Sequence, residues 1–339
     1  DQIGPSRCLL PHARKTRSCN APLPPRTLTS ATFQMGNIVT TFVFKGAVEQ
    51  ACSLQKWCHN AEVLRKHLAF QKHVVVSTVV LTNRVQEVSN LCPRAHVRGF
   101  DPHLTAAIDR YNRGVPPVHE VTCPVTLYKL QILDEEAFQQ PVIFLDADVD
   151  LSMGRRNTDQ LHRMNATHMS GLFEAWRASP CVIQATPDHS ALVNDGVMLV
   201  KPNRAMYAQS LRILNRSSFS RRYGFERNGL PQAAFPNALP LVRRAKGYWT
   251  NSWDYVCGAG GQGLFAHLSM RGSGEKFCVP QDWLIRVRHF WAGEKPWKHP
   301  MSCRRYFEFP VPSTSPCKAW VERHKRAAYP CLGRDWPIL

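Results

Sequence analysis

Three carboxylates close an apolar run in the stretch PVIFLDADVDL (141–151): Asp146, Asp148 and Asp150. Residues two apart on a strand point the same way, so Asp146 and Asp148 at a strand end can converge on one cation. Two carboxylates buried together repel and lose hydration, so without a cation at least one keeps its proton. A divalent metal removes that conflict. The alternative is an acidic turn that caps a neighbouring helix or faces water, and D-x-D alone leaves both readings open. A second stretch, RHFWAGEKPW (288–297), supplies further chemistry. His289 offers a nitrogen ligand, Gly293 lets backbone approach a phosphate, and Lys295 offers that phosphate a point charge. The two stretches together suit a metal ion holding a diphosphate.

These residues need a scaffold, and the chain between them alternates strand and helix patterns. Strands are expected at 37–44, 73–81, 142–147, 181–186, 196–200 and 283–290, and helices at 45–58, 83–91, 204–214, 262–270 and 318–328. The segment VTLYKLQILDEEAF (125–138) reads as an amphipathic helix leading straight into the acidic strand. Such alternation implies an α/β fold, a mostly parallel sheet with helices on both faces. Ligands of such sheets sit outside the carboxyl ends of the strands, where the acidic motif lies. Residues 218–250 are rich in Gly, Pro, basic and aromatic types and read as a long loop near the site.

At this point the chain resembles a known family, the glycogenin-like retaining glycosyltransferases of family 8. L-D-A-D together with H-F-x-x-G-x-K-P-W is similar to that family's paired motifs. Supporting matches follow in order: KGAVEQACSL (45–54), YKLQIL (128–133), NDGVMLVKP (194–202) and GGQGLF (260–265). The resemblance spans roughly residues 37–300. It implies a GT-A fold, a single Rossmann-like mixed sheet flanked by helices, and transfer of a hexosyl unit from a nucleotide sugar, UDP-linked, to a glycan or other hydroxyl acceptor. It also implies that Asp146, Asp148 and His289 hold manganese, with magnesium the alternative. Thr40, Thr41, Lys129, Ala147, Asn194, Gly293 and Lys295 would line the donor, and Gln262 would face the anomeric carbon. Where relatives have Asp-Gln-Gly this chain has Gly261-Gln262-Gly263, and Asp195 is the substitute carboxylate, so Gln262 and Asp195 are the expected catalytic pair. A catalytically impaired relative that only binds nucleotide sugar or glycan is the competing reading. The tyrosine that many relatives place just before Lys-Gly-Ala to cover the base is replaced here by apolar Val43 or Phe44, with Phe44 the candidate to stack on the base. Outside the resemblance Lys129 is a solvated lysine, Asn194 a turn-former and Gln262 a helix cap.

Composition bounds the rest. Hydrophobic residues make up 44% and charged ones 20%, a globular balance, and no apolar run approaches the ~20 residues of a membrane-spanning helix. The net charge of +18 favours anionic partners, but the basic residues are scattered and match no nucleic-acid-binding motif, so no nucleic acid is expected. Twelve cysteines show no C-x-x-C spacing, which leaves disulfides and buried thiols as alternatives; Cys303, Cys317 and Cys331 lie in a Pro-rich tail. Residues 1–34, basic and rich in Ser, Pro and Thr, are set apart as a disordered, targeting or non-native segment, 35–300 as the catalytic domain and 301–339 as an extension with a short helix. Two sequons, at Asn165 and Asn215, and the cysteines point toward the secretory route. The lack of an apolar signal core points to the cytoplasm, which is the expectation.

Overall fold

The computed structural model describes residues 34–72, 74–115, 123–150, 166–185, 193–216, 218–225, 253, 257–271, 277–278, 288–289, 311, 313, 315 and 317–327. Its strands are β1 (Gln34–Phe42), β2 (Val74–Thr82), β3 (His96–Gly99), β4 (Val142–Leu145), β5 (Val149–Asp150), β6 (Ile183–Ala185), β7 (Val197–Val200), β8 (Phe277–Cys278) and β9 (Arg288–His289). Helices are α1 (Val48–Lys72), α2 (Val85–Leu91), α3 (Pro102–Gly114), α4 (Ala166–Ala178), α5 (Arg204–Asn215), α6 (Gly261–Arg271) and α7 (Cys317–Ala327), with a 3-10 helix, η1, at Pro124–Leu133.

Seven strands form one mixed sheet in the order β3-β2-β1-β4-β7-β6-β8. β3, β2, β1 and β4 run parallel, and β7 joins antiparallel to both β4 and β6. The chain leaves β1 toward β2 on one side and returns to β4 on the other. That reversal opens a crevice at the carboxyl ends of β1 and β4, the usual ligand position in open α/β sheets.

Strand alternation divides the core into two layers. Ile38, Ile143, Leu145, Val197 and Leu199 pack on one face with α1 and α4. Val39, Val142, Phe144, Met198 and Val200 pack on the other with α3, η1, α5 and α6. The mostly parallel α/β sheet expected from the sequence is therefore present, with β7 the one strand of the seven that runs against the others.

Several local expectations change. The first helix does not stop at residue 58 but continues to Lys72, because Leu54, Trp57, Ala61, Leu64 and Leu68 carry one buried stripe through the polar Cys58-His59-Asn60. The segment expected as an amphipathic helix over 125–138 is a 3-10 helix over 124–133. Leu127 and every residue from Lys129 to Leu133 are buried, so packing on several sides overrides an amphipathic period. β3, α3 and α4 were not foreseen. Of the strand expected over 283–290, Arg288 and His289 are described; most of the 218–250 loop, Asn165, Cys303, Cys331, Gly293 and Lys295 lie outside the described residues.

Candidate active site

The acidic turn begins where β4 ends. Asp146 follows Leu145, its N–H donates to the carbonyl of Gly196 at 2.8 Å, and its own carbonyl accepts from Val149 at 3.1 Å. The turn thus bridges β4, the start of β7 and the two-stranded β5–β9 ribbon. In that ribbon Val149 pairs with His289 and Asp150 with Arg288, antiparallel. The backbone of His289 therefore runs beside the residue that follows Asp148, across 140 positions of sequence.

Helix α1 grips the turn from one layer. Trp57 Nε1 donates to the carbonyl of Leu145 at 3.0 Å, Ser53 Oγ to Ala147 at 3.1 Å and Asn60 Nδ2 to Val149 at 3.2 Å. Residues 53, 57 and 60 share one helix face, and the three carbonyls alternate along the turn. Each donor ties one backbone carbonyl of the turn to the helix. The backbone is held by α1.

From the opposite layer η1 delivers Lys129. Its ammonium lies 2.8 Å from Asp146 Oδ2, 3.0 Å from Asp195 Oδ1 and 3.1 Å from the Asp195 carbonyl, and 5.2 Å from the centre of the Phe144 ring. Lys129 is 4% exposed, which removes the solvated-lysine reading. Burial by itself would lower its pKa; the Asp146 and Asp195 carboxylates outweigh that and hold it above the ordinary lysine value. The amine stays charged throughout the physiological range.

Asp195 belongs to the turn before β7. Asn194 Oδ1 accepts from Gly196 N–H at 2.9 Å and shapes that turn, so this side chain has a structural task whatever else it does. The start of α6 lies against the same carboxylate. A Cβ placed on Gly261 would come 3.0 Å from Asp195 Oδ2 and 2.3 Å from the Thr126 carbonyl oxygen. No side chain fits at 261 in this conformation, and the space one would take is bounded by the Asp195 carboxylate. Gln262, the next residue, is buried at the first turn of α6.

The remaining candidates are spread around this centre. Asp148 is buried within the turn, and Ala147 offers its carbonyl to Ser53. Thr40 is fully buried near the carboxyl end of β1, and among the described residues its hydroxyl has no hydrogen-bond partner; Thr41 is partly exposed beside it. Phe44 packs into the core near Phe42, and both its N–H (2.7 Å) and its carbonyl (3.2 Å) bond the side-chain amide of Asn83. Its ring is committed to the interior rather than displayed to a base.

Sequence reasoning missed Ser53, Trp57 and Asn60. Their signal was a polar stripe at positions 53 and 60 beside a tryptophan, hidden because the helix was ended at residue 58. It also missed Thr126, whose hydroxyl accepts the N–H of Gly261 at 2.7 Å.

Asp146 and Asp195 bring two carboxylates to one buried ammonium, and Asp148 is a further buried carboxylate in the same turn, an oxygen-donor chemistry that suits a divalent cation. Among the described residues no three His, Cys, Asp or Glu side chains are placed to hold a metal ion together; the His289 side chain is outside that description.

No protein-family model and no curated protein sequence matches the chain. Among solved structures it is similar to mouse xyloside xylosyltransferase 1 in its apo form, at 14% identity over 73% of this chain and 85% of that one, with a TM-score of 0.37. It is similar too to galactosyltransferase LgtC in complex with donor and acceptor sugar analogues, at 14% identity over 86% and 94%, TM-score 0.38. An active-site mutant of LgtC gives 14%, 86%, 94% and 0.36.

Proposed function

We propose that this protein is a metal-dependent retaining glycosyltransferase of GT-A type that transfers a hexosyl unit from a UDP-sugar to a hydroxyl acceptor. The observation that carries the reading is the Asp146–Lys129–Asp195 cluster. It joins the acidic turn, the Asn-Asp-Gly turn and the Gln262 helix at the crevice where the sheet reverses. These are the segments that the sequence resemblance assigns to metal, sugar and anomeric carbon.

Asp146, Asp148 and His289 would hold manganese, or magnesium, which when bound supplies Lewis-acid stabilisation to the leaving diphosphate. Lys129 fixes the Asp146 and Asp195 carboxylates relative to each other. That keeps the metal-facing and sugar-facing turns in register without reorganisation during reaction. Gln262 presents an amide dipole rather than a charge to the anomeric centre, which steadies positive character there. The acceptor hydroxyl then enters from the leaving-group face, with retention. Lys295 and the backbone at Gly293 are assigned to the diphosphate by resemblance alone.

The competing reading, a relative that binds nucleotide sugar without turnover, was motivated by Gly261. The position of Asp195 Oδ2 against that glycine supports the enzyme instead, because a carboxylate reaches the same space from a neighbouring turn. The three disulfides described below favour an oxidising compartment over the cytoplasm.

The assignment is tested by turnover and binding together. Asp148→Asn is expected to abolish metal-stimulated turnover with the fold retained, and His289→Ala to weaken manganese and UDP binding in parallel, read by calorimetry. Unchanged turnover in Asp148→Asn overturns the metal assignment.

A further inference from the structure

Gln262 is held by a junction that includes a covalent bond. Cys123, the residue before η1, is disulfide-bonded to Cys257, which opens the turn into α6; their Cα atoms are 4.9 Å apart across 134 residues of sequence. Cys257 has a backbone φ of 58°, the one left-handed non-glycine residue among those described. Its carbonyl accepts the N–H of Gly260 at 2.9 Å and of Gly263 at 3.2 Å, which folds the turn around the cysteine.

The same two segments meet again through Thr126. Its hydroxyl donates to the Cys123 carbonyl and accepts from Gly261 N–H, both at 2.7 Å. A Cβ on Gly260 would lie 2.8 Å from that hydroxyl oxygen and 3.2 Å from Cys123 Cβ, so the turn rests directly on the start of η1. Tyr111 of α3 closes the third side by donating its hydroxyl to the Ala259 carbonyl at 2.9 Å, and burial pushes its pKa up, so that it remains a donor. Six residues beyond Cys123 the same 3-10 helix carries Lys129.

We propose that the Cys123–Cys257 disulfide is a positioning element of the active site, which sets the start of α6, and with it Gln262, against the Lys129–Asp195 pair. It rests on the catalytic role proposed for Gln262. The other two described disulfides have different placements. Cys58–Cys92 joins α1 to the end of α2, and Cys52–Cys317 joins α1 to α7; neither touches η1 or α6. Opening Cys123–Cys257 releases the turn while leaving Asp146, Asp148 and Lys129 on their own elements. Donor affinity is therefore preserved and turnover falls. Displacement by about 1 Å at a reacting centre costs up to ~10²-fold in rate.

The test compares Cys123→Ser/Cys257→Ser with Cys58→Ser/Cys92→Ser in a UDP-release assay and by hydrogen exchange. The first variant is expected to lose roughly 10- to 100-fold in kcat with donor KM nearly unchanged. Its faster exchange should be confined to the amides of Gly260, Gly261 and Gly263. The second variant is expected to keep wild-type kcat at a temperature where it is folded. Thr126→Val, which retains every disulfide, loosens the same junction and is expected to reproduce both effects, so a failure of the first variant to fold leaves the proposal exposed to refutation. Wild-type kcat, or wild-type protection at those amides, in the soluble variants overturns it. Gln262→Ala separates the two ideas: unimpaired turnover there refutes the role of Gln262, while altered exchange at the glycines still reports on the clamp.

Discussion

A buried lysine decides what the acidic residues can be. Lys129 is shared by Asp146 and Asp195, and removing one partner of a buried ion network leaves uncompensated charge costing about 3–5 kcal/mol. Lys129→Met is accordingly expected to lower unfolding free energy by about that amount in urea titrations at pH 8; a loss below about 1 kcal/mol contradicts the pairing. The pH dependence follows from the raised pKa. The folded state holds this proton more tightly than the unfolded chain, so the stabilisation is fully present below the unfolded lysine value of about 10.4. It disappears only as pH rises through the higher folded value. The stability difference between wild type and variant should persist from pH 7 to 10 and shrink in stronger alkali. From sequence Lys129 could be singled out but not described. Its neighbours Asp146 and Asp195 lie 17 and 66 positions away, and nothing local distinguishes an ammonium facing water from one facing two carboxylates.

The elements that hold the site were legible where the sequence leaves a short apolar run or a helical stripe. β1, β2, β4 and β7 stood out as apolar runs, β4 and β7 being buried on both faces, and α5 stood out as a regular stripe. Helix η1 leaves no period, since its second half is buried without a break from Lys129 to Leu133, and its 3-10 geometry followed from packing rather than from pattern. α1 was recognised but cut short, and with the missing turns went Asn60, the last of the three donors that hold the acidic turn. Trp57→Phe tests that row: it deletes the bond to the Leu145 carbonyl and part of a fully buried ring. A loss of about 1–3 kcal/mol in stability is expected, together with reduced turnover, measured by urea unfolding and UDP release. Wild-type values in both would mean that α1 supports the sheet without setting the turn.

At the scale of the whole molecule, the described disulfides each join elements within one layer. Cys52–Cys317 fastens α7 to α1, with Ser315 Oγ donating to Gln55 Oε1 at 2.8 Å beside it, so this part of the sequence set apart as an extension is docked on the sheet's helical layer. The pairing of the cysteines could not be read from their spacing, because Cys52 and Cys317 are 265 residues apart and meet only once the sheet has formed. The mixed sheet itself was legible in outline. The reversed direction of β7 was not, since it depends on the chain that precedes the strand rather than on its own four residues.

The central claim, that this crevice transfers sugar from a nucleotide sugar with the help of a cation held at Asp146 and Asp148, is met most directly by one measurement. The wild-type protein is screened against UDP-glucose, UDP-galactose and UDP-glucuronic acid for UDP release, with manganese and with chelator. The account predicts release from at least one donor that depends on manganese. Binding of UDP with no release from any of the three, or release that chelator leaves untouched, would contradict it.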